Sequence, residues 1–182
     1  RDAGGKVYLF SSDESGNVDL LHTLQNESHE WYQYFGRSID LDGSSLAVRT
    51  RDDWESKVNL YKFNDQTLEM ELSREIERPD GFDVQQFGRD ISFDGGNLTI
   101  SSVRDWSDGR GIVFFYTSTD SGSLKLSYVF EPADEAERNA GFGQSISLSG
   151  DHLAVGLPSF DRTIDSQYRY DVGKVIVFTR EQ

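Results

Sequence analysis

The sequence predicts an all-β fold assembled from repeated four-stranded antiparallel units, and three observations predict it. A stretch recurs: YFGRSIDLDGSSLAV from Tyr34, QFGRDISFDGGNLTI from Gln86 and GFGQSISLSGDHLAV from Gly141. Its Phe-Gly step falls at Phe35-Gly36, Phe87-Gly88 and Phe142-Gly143, at intervals of 52 and 55 residues. Self-similarity at such a period marks a repeat architecture in which each copy is one supersecondary unit. Within each copy the apolar residues alternate with polar ones, the period of two that a half-buried strand requires. Glycine-bearing turns then separate the runs, supplying the positive backbone angles of tight hairpins.

The elements follow in order. A first strand reads Ser38–Leu41, Asp90–Phe93 and Ser145–Leu148, and it turns at Asp42-Gly43, Asp94-Gly95-Gly96 and Ser149-Gly150-Asp151. A second strand runs through Leu46–Val48, Leu98–Ile100 and Leu153–Val155. A third is VYLF at Val7–Phe10, with counterparts at Asn59–Phe63, Gly111–Tyr116 and Gly173–Phe178. A less apolar fourth strand closes the unit at Val18–Leu24, Leu68–Ile76 and Leu124–Phe130. Proline is nearly absent from these runs, as ladder hydrogen bonding demands. The one helix-favouring stretch, Ala133–Arg138, suits a single turn.

Four antiparallel strands in about fifty residues describe a propeller blade. Residues 1–33 then carry the third and fourth strands of a preceding blade, followed by units at 34–85, 86–140 and 141–182. In such an array the innermost strands crowd: glycine permits close backbone approach and the adjacent Phe fills the space between blades. Small Ser and Asp side chains on the first strand suit the same crowding. An arc of about three blades leaves two apolar faces bare, whereas propellers usually close with four to eight. The expectation is a longer parent chain, or a ring completed by other chains.

At 182 residues the chain has the size of one domain. Its 32 acidic and 18 basic residues give a net charge of −14, a field that repels phosphate backbones and anionic lipid. Nucleic acid is therefore excluded as a partner class. With no cysteine, disulfides, thiolate metal sites and cysteine nucleophiles are excluded as well. No apolar run reaches the roughly 18–20 residues that span a bilayer. Sequons stand at Asn26-Glu27-Ser28 and Asn97-Leu98-Thr99.

GFGQSISLSGDHLAVGLP followed by GKVIVFTR resembles an FG-GAP repeat, the blade of the integrin alpha-subunit propeller, with Gly156-Leu157-Pro158 where that family has Gly-Ala-Pro. The other two units depart there, with Arg49-Thr50-Arg51 and Ser101-Ser102-Val103. The resemblance spans nearly the whole chain. It implies a ring of about seven blades, an extracellular or cell-surface setting, and a role in adhesion. It also implies calcium held by a DxDxDG-like loop between first and second strands. Asp40-Leu41-Asp42-Gly43 is superficially similar, but Asp40 lies in the first strand and Leu46 resumes the second after two more residues. That is hairpin length, with too few oxygens, so no calcium or other cofactor is expected.

Candidate ligand-binding residues lie in the loops between second and third strands. Arg51, Asp52 and Trp54 recur as Arg104, Asp105 and Trp106, with Arg1-Asp2 in the matching place before Gly5. Charges and aromatic rings repeated on one face suit recognition of protein or glycan. Ion pairing between neighbouring units produces the same repetition and is the favoured reading, at about 0–1 kcal/mol per exposed pair. The longest loop, Ser159–Val172, offers Asp161, Asp165, Asp171, Tyr168 and Tyr170 to a partner or an ion. Its aspartates are irregularly spaced for metal, so a solvated loop is expected.

His22, His29 and His152 fall in separate parts of the repeat, without a Gly-x-Ser-x-Gly elbow or an HExxH run. The expected function is therefore non-catalytic: an extracellular propeller that binds other protein chains or glycans. A structural subunit of a surface filament or matrix is one alternative. An accessory propeller of a secreted hydrolase is another, since FG-GAP blades accompany phospholipase-type enzymes.

Overall fold

The alternating runs become strands, and the glycine turns join them into antiparallel meanders. The computed structural model describes residues 5–26, 34–52, 55–103 and 110–180. A hairpin of β1 (Lys6–Ser12) and β2 (Val18–Gln25) is followed by a four-stranded sheet of β3 (Ile39–Asp42), β4 (Ser45–Asp52), β5 (Glu55–Asn64) and β6 (Glu69–Ile76), neighbours in chain order. The pattern repeats in β7 (Ile91–Asp94), β8 (Asn97–Val103), β9 (Gly111–Ser118) and β10 (Leu124–Phe130). A helical turn, α1 (Glu135–Arg138), then leads to β11 (Ser145–Ser149) and β12 (His152–Leu157). A small hairpin, β13 (Arg162–Ile164) and β14 (Gln167–Arg169), precedes β15 (Lys174–Thr179), which pairs with β12. The described residues are thus all-β apart from α1, which Asp134 caps by accepting the Glu137 N–H at 2.9 Å. Among the described residues no helix is long and apolar enough to cross a membrane.

The chain forms two compact units, Arg1–Glu77 and Arg78–Gln182. In the first, Val7 and Leu24 of the β1–β2 hairpin pack against Phe35, Leu46, Val48 and Met70 of the sheet. In the second, Val113 of β9 packs against Phe142, Leu148, Leu153 and Val155. The two cores are the same seam built twice: Val7 and Val113 are equivalent, as are Phe35 and Phe142, Leu46 and Leu153, and Val48 and Val155. Fully burying one side chain of this size is worth about 1.5–3 kcal/mol.

Glycine is required at the seam for the reason its position in the repeat implies. Gly36 and Gly143 have φ of +79° and +77°, and an added Cβ would lie 2.9 Å from Val7 Cγ2 and 3.1 Å from Val113 Cγ2 respectively. Gly5 and Gly111, each opening a third strand, are tighter still. A Cβ there would overlap the carbonyl oxygen of Phe35 or of Phe142. The residue before each Phe is also left-handed: Tyr34 (52°), Gln86 (54°) and Gly141 (74°). Two of these three are not glycine, a conformation costing about 1–2 kcal/mol that the buried Phe holds in place.

Polar side chains on the first strand do more than fit a crowded seam. In the second unit, Asp90 Oδ2 accepts the Ile146 N–H at 2.8 Å, Ser92 Oγ accepts Leu148 N–H at 2.9 Å, and Asp94 Oδ2 accepts Gly150 N–H at 2.6 Å. Each pair is 56 residues apart. Side chains of β7 thereby satisfy the open backbone edge of β11, whose donors run from buried at Leu148 through half-buried at Ile146 to exposed at Gly150. Asp90→Ala is expected to cost about 1–3 kcal/mol, because the Ile146 N–H stays desolvated without an acceptor. The urea midpoint measures this, and Asp120→Ala, in the β9–β10 turn, serves as an exposed control.

The same packing explains a contrast between equivalent residues. Leu148 is 7% exposed beneath the β7–β8 pair, whereas Leu41, at the same place in β3, is 49% exposed. The β1–β2 hairpin packs on Phe35, Leu46, Val48 and Met70, and among the described residues no strand lies over Leu41 as β7 and β8 lie over Leu148.

Candidate functional site

The segment expected as a solvated loop, Ser159–Val172, contains ordered structure instead. β13 and β14 pair through Arg162↔Arg169, Thr163↔Tyr168 and Ile164↔Gln167. Asp165 and Ser166 form its two-residue turn with φ of 50° and 62°, the paired positive angles of the favoured hairpin turns. At the base, Gly173 N–H donates to Phe160 O at 3.1 Å and Ser159 N–H to Ala140 O at 3.0 Å. Lys174 Nζ lies 5.0 Å above the Phe160 ring and pairs with the buried Glu137 carboxylate. Glu137 also accepts the Ala133 N–H at 3.0 Å, so α1 serves as a brace for the root of the hairpin.

Asp161 organises the arm. Its Oδ2 accepts the Tyr168 hydroxyl at 2.8 Å and its Oδ1 accepts the Asp171 N–H at 2.8 Å. The Tyr168 and Tyr170 rings meet edge to face, with centroids 4.8 Å apart. Tyr170 is 76% exposed, so an aromatic pair stands in solvent on a fixed support. The hydrogen bond to Asp161 raises the Tyr168 pKa above the ordinary tyrosine value, with desolvation and the carboxylate's charge acting the same way. A raised folded pKa means that this bond contributes fully below the unfolded value near 10 and is lost as pH rises through the folded pKa. A phenolate absorbance titration is expected to place Tyr168 above the ordinary tyrosine value. Asp161→Asn should bring Tyr168 back toward the ordinary value.

Asp161, Tyr168 and Tyr170 come together, while Asp165 occupies the turn. Among the described residues no three carboxylate or imidazole groups converge so as to hold a metal ion. Arg51 lies with its guanidinium 6.0 Å from the Tyr34 ring, which Arg37 also approaches at 5.5 Å. Asp52 ends β4 opposite Glu55. Trp54, Arg104, Asp105 and Trp106 lie outside the described residues, as do Arg1, Asp2 and His29. Asn26 donates its side-chain amide to Thr50 Oγ1 at 3.0 Å, and Asn97 sits beside the β7–β8 turn opposite Asp94. Arg49, where the last repeat has Gly156, is buried and donates to Ser56 Oγ at 3.2 Å.

Sequence reasoning missed Tyr34 as a cation–π partner, the Glu137–Lys174 brace, and Asp90, Ser92 and Asp94 as acceptors. For the last three the signal was present, as polar residues two apart along the first strand. Compared with models of protein families and with curated proteins, the sequence matches none.

Proposed function

We propose that this chain contributes blades to a non-catalytic, extracellular FG-GAP-type β-propeller of about seven blades that binds protein or glycan. The repeated seam supports the architectural half of that reading. Two compact units each place a Phe-Gly step against a neighbouring third strand, with glycine where a Cβ would strike backbone. Blades around a ring require that contact at every junction.

The observation that carries the binding half is the Tyr168–Tyr170 pair. Rigid aromatic rings on a braced hairpin offer large contact area at low entropic cost, the property that makes tyrosine frequent at recognition surfaces. The test is a glycan and protein array probed with the wild-type chain and with Tyr170→Ala, whose exposed ring leaves the core untouched. The reading expects retained ligands to lose at least about tenfold in affinity, the usual scale for an aromatic anchor. Unchanged binding of every retained ligand by Tyr170→Ala would remove the hairpin from the proposed site.

A second reading, a structural subunit of a surface filament or matrix, is favoured by one observation. Val175 and Val177 of β15 are exposed together on one strand face. Concentration-dependent polymers in sedimentation velocity, abolished by Val175→Asp, would support it over the first.

In an extracellular setting the two sequons should behave differently. The Asn26 amide nitrogen is engaged with the buried Thr50, whereas Asn97 borders a hairpin turn. Expressed in a glycosylating host, the chain is expected to lose its glycan mass on Asn97→Gln and to keep it on Asn26→Gln.

A further inference from the structure

The β13–β14 hairpin has a second face. Side chains alternate along a strand, so Tyr168 points one way and its neighbours Gln167 and Arg169 the other. In β13, Arg162 and Ile164 share that second face. The register sets Arg162 opposite Arg169 and Ile164 opposite Gln167. Directly opposed residues of an antiparallel pair have Cα atoms about 4.5–5.5 Å apart. Two guanidinium-bearing side chains therefore rise from one spot. Like charges placed in this way repel and weaken the pairing. The strands they burden are only three residues each.

Among the described residues neither arginine forms an ion pair. The adjacent carboxylate, Asp161, is engaged by the Tyr168 hydroxyl and the Asp171 N–H. Arg169 is held instead by an amide: its Nη2 donates to Gln167 Oε1 at 2.7 Å. That bond orients a guanidinium without neutralising it. Residues 162–169 are all exposed, Ile164 at 43%. The root beneath them is fixed by the Asp161 and Gly173 hydrogen bonds. In a chain of net charge −14 the missing counter-charge does not reflect a shortage of acidic residues. A fixed hairpin that holds two cations together without a carboxylate of its own presents a site for an anion.

We propose that this face binds an acidic segment of a partner protein, with one carboxylate bridging Arg162 and Arg169 and an aliphatic side chain set against Ile164. Guanidinium donors match the two oxygens of a carboxylate. Arg162 and Ile164 are two residues apart on one strand face, a rise of roughly 6.5–7 Å. An extended ligand has the same spacing, so the segment reads acidic-x-aliphatic or the reverse. Two features favour a protein over an acidic polysaccharide. Ile164 offers a branched aliphatic surface beside the cations. The net charge of −14 repels a long polyanion but admits a single carboxylate. The inference deepens the binding role proposed above and rests on it for the existence of a partner. It leaves out the tyrosine pair, which lies on the opposite face.

The test selects a phage-displayed library of random peptides against the full 182-residue chain. Retained peptides are expected to carry Asp or Glu two residues from Leu, Ile or Val. Their affinity should fall at least about tenfold in Arg162→Gln/Arg169→Gln. It should fall as far when the peptide's acidic residue is replaced by its amide, a change that leaves the protein untouched. Lys62→Gln/Lys125→Gln removes the same charge at exposed positions outside the hairpin and should leave binding intact, as should Tyr170→Ala. Retained peptides without an acidic residue, an equal loss in the lysine variant, or undiminished binding by the arginine variant would overturn the proposal. Loss in Tyr170→Ala alone would also sink it while upholding the tyrosine site. Recovery of no peptide counts against it as well, and the glycan array then decides the binding role separately. A sulfated polysaccharide bound through the two arginines, where no peptide is, would replace the protein partner with a glycan and so refute it.

Discussion

Gly111→Ala is expected to lower stability by about 3 kcal/mol or more, among the larger effects of any single methyl group in this chain. The added Cβ would overlap the Phe142 carbonyl oxygen and lie 2.6 Å from the carbonyl carbon. Both obstacles are backbone, so no side-chain rotation relieves them. Neither backbone is free to retreat. Gly111 is paired with Val103 at the start of β9, and the step after Phe142 is fixed by the Gly143 N–H donating to Gly156 O at 3.1 Å. The control is Gly122→Ala in the β9–β10 turn, where φ is +74° and nothing lies within 4 Å. It should cost only the left-handed backbone penalty, about 1–2 kcal/mol. Urea unfolding followed by far-ultraviolet circular dichroism compares the two, and hydrogen exchange by mass spectrometry locates the loss. A Gly111→Ala midpoint no lower than that of Gly122→Ala would deny close approach at the seam.

Phe142→Ala is expected to cost about 3–5 kcal/mol, the range for removing a fully buried aromatic ring. Phe142 is wholly buried among Val113, Leu148, Leu153, Val155 and Leu157, which belong to two sheets and cannot collapse into the void without separating. It also stands between two left-handed residues, Gly141 and Gly143, and its burial helps hold both. Loss of the ring should therefore loosen the seam as well as hollow it. Faster amide exchange at β11 is expected in addition to the lower urea midpoint. Phe142→Leu, which refills most of the volume, should recover more than half of the loss.

Most of the strand plan is legible because its causes are local. A period of two writes Ile39-Asp40-Leu41 as a strand whether or not a neighbour exists, and Gly43, Gly95 and Gly150 announce their turns by type. The x-Phe-Gly step is legible through recurrence alone. What local text does not carry is who the neighbour is. Leu41 and Leu148 have the same context in sequence and opposite burial, decided by whether another sheet's inner strands lie across them. Asp90, Ser92 and Asp94 look like ordinary polar positions of a half-buried strand. Their role as acceptors appears only when β11 lies alongside. The β13–β14 hairpin escaped for a different reason: its strands are three residues each, and the Asp165-Ser166 turn carries no glycine. The Asp161–Tyr168 bond that steadies it reaches seven residues along a sequence that is polar but for Ile164.

The seam account is tested most directly by amide exchange, measured by nuclear magnetic resonance at three backbone positions: Ile146, Leu148 and Gly150. No strand ladder protects these N–H groups; side chains 56 residues away do. Protection close to that of the β12–β15 ladder, lost selectively at Ile146 in Asp90→Ala and at Gly150 in Asp94→Ala, is the predicted result. Exchange as fast as that of Asp120 and Ser121 in the exposed β9–β10 turn would contradict it.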